Sequence, residues 1–552
     1  MNWKGFIFLF ITSISWSQNF YLKVEGSSLT ETKVLDSIGY TKKHSNVQSI
    51  IDENKSLGNK ITQAGFLASQ LVKNEKTNDS TFVFYYSLGL KTENLIIKTD
   101  LLSEDIKSIL GISENKTVLI SETESFLNTQ LAILERKGYA LAKLHLENFT
   151  QVNQQLQAFL IVDLNSVRKI NSLVFKGYDN FPKGVKKVYE RKYKQKPFNQ
   201  ELVKNINRDF NTLPFVNQTK YPEVLLTKDS TQIYVYLEKR KNNSFDGFIG
   251  FGTNEEKQKL QFNGYLDLNL FNNLNSGERF NLYWKNDGNK QSTFNVNLDL
   301  AYVFKSPLAL KGNLKIFKQD TIFQNSSFDF DLGYMIRYNT KIFLGIKDNT
   351  SEAIQKTSAA LIKDLKSTFY TTTFEHRKTN YENDLFPEQF YLLTKLGIGN
   401  RTTGGEKANQ FFGQIQALQL LPLNPKNYIH LKSDVYYLQS PDYYTNELYR
   451  FGGIQSIRGF NENSLQGNIF GGLFAEYRYV VASNLYLHTI TDFGYFQDKA
   501  NTTSSNLYGL GFGIGLLNKG GIFNLVYANG SSSGQAIKLS NSIVQVSFKT
   551  TF

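Results

Sequence analysis

The chain has 552 residues, a formal net charge of +13, no cysteine, 9 prolines and an aromatic content of 14%, with 44 Phe and 31 Tyr. Zero cysteine excludes disulfides, thiolate catalysis, zinc ribbons, iron–sulfur clusters and a lipid anchor on cysteine. A mean hydropathy of −0.34 suits a water-soluble protein, while 41% apolar residues exclude disorder. The basic balance points to nucleic acid or an anionic surface, and the Phe and Tyr surplus to many strands.

Met1–Ser17 reads MNWKGFIFLFITSISWS, with Lys4 as a positive leader, Gly5–Ile14 as a short apolar run, and Ser15 and Ser17 as small residues at a cleavage site. This is the pattern of a secretory signal and is too short to span a bilayer. The mature chain is expected to begin near Gln18. No later stretch is long and apolar enough for a spanning helix, so helical membrane spans are not expected.

From Tyr21 to about Arg240 one pattern recurs three times: an amphipathic helix, a strand, a loop and a returning strand. The first copy has a helix near Asn46–Gln63, then Gly65-Phe66 and strands Leu67–Lys73 and Thr81–Ser87. In the middle copy, helix Glu122–Lys137 places Ile120, Phe126, Leu127, Leu131 and Leu134 on one face. Gly138 is suited to the left-handed cap, and strands follow at Tyr139–Glu147 and Gln155–Asp163. The third copy has strand Lys169–Phe175, Gly177, helices around Val185–Tyr193 and Gln200–Asn211, and strands Glu223–Thr227 and Gln232–Glu238. Units of this kind resemble POTRA domains, and INSLVFKGYDNF at the start of the third carries that resemblance best. It implies POTRA-like domains at 18–89, 90–165 and 166–241, and a sheet edge to which an extended client adds as a strand. A generic α+β scaffold is the plainer alternative.

After about Asn242 the helical period gives way to alternation at period two, which runs to the last residue. Phe262, Leu266, Leu268 and Leu270 oppose Tyr265, Asp267 and Asn269. Phe294, Val296, Leu298 and Leu300 oppose Asn295, Asn297 and Asp299. Phe328, Phe330, Leu332 and Tyr334 oppose Asp329, Asp331 and Gly333, and Ile429, Leu431, Val435 and Tyr437 oppose His430, Lys432, Asp434 and Tyr436. An apolar face that persists through every segment predicts a transmembrane β-barrel over 242–552, with lipid outside and a polar lumen inside. Averaging those two faces explains the low hydropathy. Sixteen strands are expected, starting near Phe245, Lys259, Arg279, Ser292, Leu308, Ser327, Lys341, Lys366, Gln389, Asn409, Lys426, Ile469, Asn484, Ser505, Gly521 and Ala536.

The loop Ser440–Asn468, before the twelfth strand, contains RFGGIQSIRGF from Arg450 to Phe460. With a periplasmic N-terminus it is the sixth outer loop. RFGG followed by SIRGF resembles the loop signature of the BamA/TamA superfamily of outer-membrane assembly and translocation barrels, the bacterial surface antigen family. The resemblance covers nearly the whole mature chain. It implies that the loop folds back into the lumen and that Arg458, with Gly459 and Phe460, meets acidic residues of neighbouring strands. Parity supplies them: Glu476 shares a face with Arg478, and Asp492 with Gly494, each opposite an apolar face. Gly509, Gly511, Gly513 and Gly515 share the inner face of the fourteenth strand, either to admit the loop or to permit curvature.

The chain ends IVQVSFKTTF, with Val544, Val546, Phe548, Thr550 and Phe552 on the lipid face, a terminal aromatic strand of the kind by which outer-membrane proteins are recognised for insertion. The resemblance makes the first and sixteenth strands the closing pair and a lateral gate, involving Phe245, Gly247 and Phe248 with Val544, Val546, Phe548 and Phe552. The glycines of the first strand suit either a weak seam or a tight bend.

His44, His145, His376, His430 and His488 lack metal spacing, and no nucleophile elbow, P-loop, HExxH or dinucleotide fingerprint occurs. No enzyme activity, metal or cofactor is expected. The resemblance implies unfolded outer-membrane or secreted clients and outer-membrane lipid as partners, leaves room for a periplasm-spanning partner protein, and excludes nucleic acid for an exported chain. Three repeats favour a TamA-like accessory protein over a BamA-like principal insertase with its longer array. The rival is a two-partner-secretion transporter, usually with two POTRA units and a plug helix, and no such helix is evident between Gln18 and Tyr21. A passive porin leaves the repeats and the RGF loop unexplained.

Overall fold

The computed structural model describes residues 19–552 except 153–154, 255–258, 287–290, 356–360 and 535–541. The expected signal segment Met1–Ser17 and the expected strand start at Ala536 lie outside the described residues. Two compact units emerge: residues 1–169 with 197–201, and residues 170–196 with 202–552.

The first unit holds two α/β modules. In the first, helices Leu29–Ile38 and Val47–Gln63 pack on a sheet ordered Lys43–His44, Phe20–Gly26, Thr81–Ser87, Gln70–Asn78. Ser28 and Asn46 cap the helices by accepting from the amides of Glu31 and Ser49. Ile50, Leu57 and Ile61 recur on one face and close over Leu22, Val24 and Phe84. The second module repeats the plan, with sheet order Lys116–Leu119, Asn94–Lys98, Gln155–Asp163, Lys143–Val152 and helices Glu104–Leu110 and Thr123–Arg136.

Two expectations for this second module need correction. Leu131 is 37% exposed, and Gln130 is buried instead, because Gln130 lies four residues from both Phe126 and Leu134 while Leu131 sits at the edge of the stripe. The strand expected from Tyr139 begins at Lys143. Gly138 takes φ +99°, the Tyr139 amide donates to the Leu134 carbonyl, and the Ala142 amide donates to that of Tyr139. These bonds use Tyr139–Ala142 as the turn out of the helix.

The second unit begins with the third module, whose sheet is ordered Val216–Leu226, Thr231–Lys239, Ser172–Lys176 beside helices Lys183–Tyr193 and Gln200–Asn211. Strands expected at Lys169–Phe175 and Glu223–Thr227 are Ser172–Lys176 and Val216–Leu226. Register shifts around Lys220, next to Pro222, break the alternation by which the longer strand would be recognised. Phe210 is fully buried and its ring meets those of Phe175, Phe181 and Tyr189. Phe210→Ala is expected to destabilise this module by about 3–5 kcal/mol, measured as lost hydrogen-exchange protection in strand Thr231–Lys239.

This module packs on one end of the barrel. Tyr189 meets Tyr302 at 5.9 Å between ring centroids, Phe215 meets Tyr338 at 6.1 Å, and the Asn272 side-chain amide donates to the Tyr178 hydroxyl at 2.7 Å. Val185 leaves no slack for a side chain at Gly277, whose φ is +82°.

The barrel is closed and antiparallel, with sixteen strands: β1 (Ser244–Asn254), β2 (Lys259–Phe271), β3 (Arg279–Asn286), β4 (Gln291–Val303), β5 (Leu308–Gln319), β6 (Phe323–Arg337), β7 (Thr340–Ala353), β8 (Leu365–Thr379), β9 (Glu388–Thr403), β10 (Glu406–Asn424), β11 (Asn427–Gln439), β12 (Ile469–Ala482), β13 (Leu485–Asp498), β14 (Thr503–Asn518), β15 (Gly521–Ser532) and β16 (Ser542–Thr551). On β6, Phe328, Phe330, Leu332 and Tyr334 are exposed outward while Asp329 and Asp331 are buried inward. Lys347 of β7 and Lys395 of β9 approach Asp329 at 3.3 and 2.6 Å. Outward apolar side chains continue around the wall at Leu344, Tyr370, Ile398, Leu473, Phe493 and Phe512. A belt of that extent is an aggregation hazard in water and is the outward face suited to a bilayer. Among the described residues no helix is long and apolar enough to cross a membrane.

Candidate functional site

The loop between β11 and β12 forms a short hairpin, Tyr449–Phe451 against Leu465–Gly467, whose turn carries RGF into the lumen. Gly452, Gly453 and Gly459 all have positive φ, from +87° to +109°. Hydrophobic contact seats the base: Phe451 stacks on Phe470 of β12 at 4.0 Å, in a cluster with Ile457, Phe474 and Leu507, and Phe460 packs at its margin.

Beyond this cluster Arg458 is 6% exposed. Its Nε and Nη2 donate to the two carboxylate oxygens of Asp492 at 2.8 and 2.5 Å, its backbone amide donates to the same group at 2.9 Å, and its Nη1 donates to Glu476. The second oxygen of Glu476 accepts from Arg478 at 2.8 Å. His430 of β11 and His488 of β13 approach Glu476 at 3.8 Å each. The three residues that parity and the loop motif singled out therefore meet in a buried, bidentate network. Glu476 and Asp492 are occupied by guanidinium groups, and no cluster of metal-binding side chains is found among the described residues.

The glycine stripe of β14 divides into distinct roles. A side chain at Gly509 would strike the Arg458 carbonyl, so that glycine admits the loop. At Gly513 and Gly515 the space is taken by the rings of His488 and Tyr486, and at Gly511 by the backbone of β15. Gly459 fits directly against the backbone of Gly530 on β15, and no side chain fits at either position.

Sequence reasoning missed the other anchors of this loop. Glu462 crosses to β3, where it pairs with Lys285 and accepts from the Tyr283 hydroxyl at 2.9 Å. Arg450 lies between Phe317 and Phe323, 5.1 and 5.2 Å from their ring centres. Glu447 binds the buried Arg401 of β9 at 2.7 Å, and Asn446 donates to Ser351 of β7 at 2.6 Å. The shared inward parity of Tyr283 and Lys285 was the available signal for Glu462, but parity alone does not say which residues meet across a lumen.

At the closure, β1 and β16 pair at Ser244↔Thr551 and Phe245↔Thr550 among the described residues. By contrast β1 pairs with β2 from Ser244↔Asn269 through Asn254↔Lys259, and β15 with β16 from Gly521↔Thr550 through Asn529↔Ser542. Gly247 of β1 has φ +157° and lies against the backbone of β2. Phe245, Val544, Val546, Phe548 and Phe552 are 40–61% exposed on the outer face. The Phe552 amide donates to the Asn243 carbonyl at 2.9 Å. The side chain of Phe248 lies outside the described residues.

No protein-family model and no curated protein matches the sequence. Among solved structures, CdiB from Escherichia coli aligns at 12% identity over 94% of this chain and 98% of its own, with a TM-score of 0.55. CdiB from Acinetobacter baumannii aligns at 13% identity over 92% and 97%, with a TM-score of 0.53. BamA from Haemophilus ducreyi lacking POTRA domains 1–3 aligns at 16% identity over 83% and 99%, with a TM-score of 0.45. The fold of this chain is thus that of the CdiB structures: a closed sixteen-stranded antiparallel barrel preceded by α/β modules resembling POTRA repeats.

Proposed function

We propose that the protein is an outer-membrane assembly or translocation factor of BamA/TamA type. POTRA-like modules at 18–89, 90–165 and 166–241 lie in the periplasm, and the barrel over 242–552 lies in the bacterial outer membrane. The modules capture unfolded outer-membrane or secreted proteins by strand addition, and the seam of β1 and β16 delivers them to the membrane. The chemistry is non-covalent. The observation that carries this reading is the short pairing of β1 with β16, confined to Ser244 and Phe245 among the described residues, in a barrel whose lumen is crossed by an anchored loop. An edge that pairs at only two positions among the described residues is a template for an incoming strand.

Depletion of the protein followed by surface proteomics tests the proposal. Loss of many barrel proteins is the expected result. Loss of a single exported protein would instead mark a two-partner-secretion transporter, and an unchanged protein inventory would overturn both.

A further inference from the structure

The charge of the chain is unevenly placed. Residues 183–196 read KGVKKVYERKYKQK, seven cations against the single carboxylate Glu190. Val185, Tyr189 and Tyr193 turn inward and are buried, while Lys183, Lys187, Arg191 and Lys194 fall on the opposite, exposed stripe. Lys183, Lys186 and Lys194 have no carboxylate partner among the described residues, and Lys187 reaches Glu190 only at 3.8 Å.

This helix is fixed beside the rim of the barrel. Gly184 lies against the Tyr302 carbonyl, and Arg191 donates to the Lys305 carbonyl at 3.0 Å. Two apolar side chains project from the rim there: Leu274, in the turn between β2 and β3, is 80% exposed, and Phe304, between β4 and β5, is 87% exposed. Both border a cleft of about 840 Å³ that also takes Lys183, Lys186 and Lys305 against one carboxylate, Asp179. Lysines with an aromatic and an aliphatic side chain at the end of a membrane-spanning wall match the layering of a bilayer interface, with acyl chains below and phosphates above.

We propose that this stripe and cleft bind the headgroup of an anionic phospholipid in the periplasmic leaflet, with Leu274 and Phe304 inserted beneath it. The proposal rests on the membrane reading of the barrel and is independent of which client the protein handles. Each cation at an anionic surface strengthens binding about fivefold. The full chain in detergent is titrated with phosphatidylglycerol or phosphatidylethanolamine and bound lipid is counted by native mass spectrometry. The wild type is expected to prefer phosphatidylglycerol. Combining Lys183→Gln, Lys187→Gln and Lys194→Gln is expected to weaken that binding about a hundredfold, and Phe304→Ser to weaken it further. Equal charge loss at the exposed Lys33, Lys55 and Lys116 is expected to leave it unchanged, and inorganic phosphate should not compete. Heat-modifiable migration on gels scores barrel folding and insertion separately. Equal retention of the two lipids, undiminished binding by the triple variant, or equal losses in the two triple variants overturns the proposal. So does displacement of the lipid by an acidic unfolded peptide, which would mark a client face.

Discussion

Replacing Arg458 with alanine is expected to release the inserted loop and destabilise the barrel by about 3–5 kcal/mol. Asp492 is 2% exposed and Glu476 8%, and the substitution leaves both carboxylates without the fork that joins them. Most of the loss is the burden of the stranded Asp492 charge, since Glu476 keeps its bond to Arg478, rather than the worth of the bonds. Two readouts follow: a lower transition temperature for the heat-modifiable barrel, and new protease cleavage between Gly452 and Ser464. Arg458→Lys should not restore the loop, since an ammonium group cannot hold both Asp492 oxygens and Glu476 at once. Adding Asp492→Asn to Arg458→Ala should cost less than the two single changes together, because the second removes a charge the first has stranded. Barrel insertion should persist, as β11, β12 and β13 are joined by their own ladders. An unchanged melting transition with a protease-resistant loop would overturn the assigned role of the arginine.

The legibility of this network in the sequence has a simple physical cause. A strand alternates with period two, so Glu476 and Asp492 are assigned to the lumen once Tyr477 and Phe493 are assigned to lipid. The same rule placed the starts of fifteen strands within a few residues of where they are observed, the expected start at Ala536 lying outside the described residues. It failed where alternation is interrupted, as at the bulged strand around Lys220 and Pro222. It is also silent on distance across the lumen, so Glu462 meeting Lys285, or Arg450 between two phenylalanines, had no local signature. The histidines show the converse. His430 and His488 are 58 positions apart and look scattered, yet the β11–β12–β13 ladders bring both to Glu476. The four glycines of β14 share one pattern and serve the loop, two aromatic rings and the backbone of β15.

Locking the seam is expected to abolish function while sparing the fold. The chain has no native cysteine, so Phe245→Cys with Thr550→Cys introduces the only thiols, at positions directly paired across β1 and β16. Gly247, Gly250 and Gly252 give β1 little cross-strand side-chain contact, so over the rest of its length it is held by the β2 ladder alone among the described residues. If clients enter the membrane there, oxidation should stop surface delivery and dithiothreitol should return it, with heat-modifiable migration unchanged in both states. Export through the lumen predicts the opposite, since a bond in the wall leaves the interior as it was. Full surface delivery by the oxidised protein, with the crosslink verified on gels, would remove the seam from the mechanism and leave the loop-filled lumen as the route to explain.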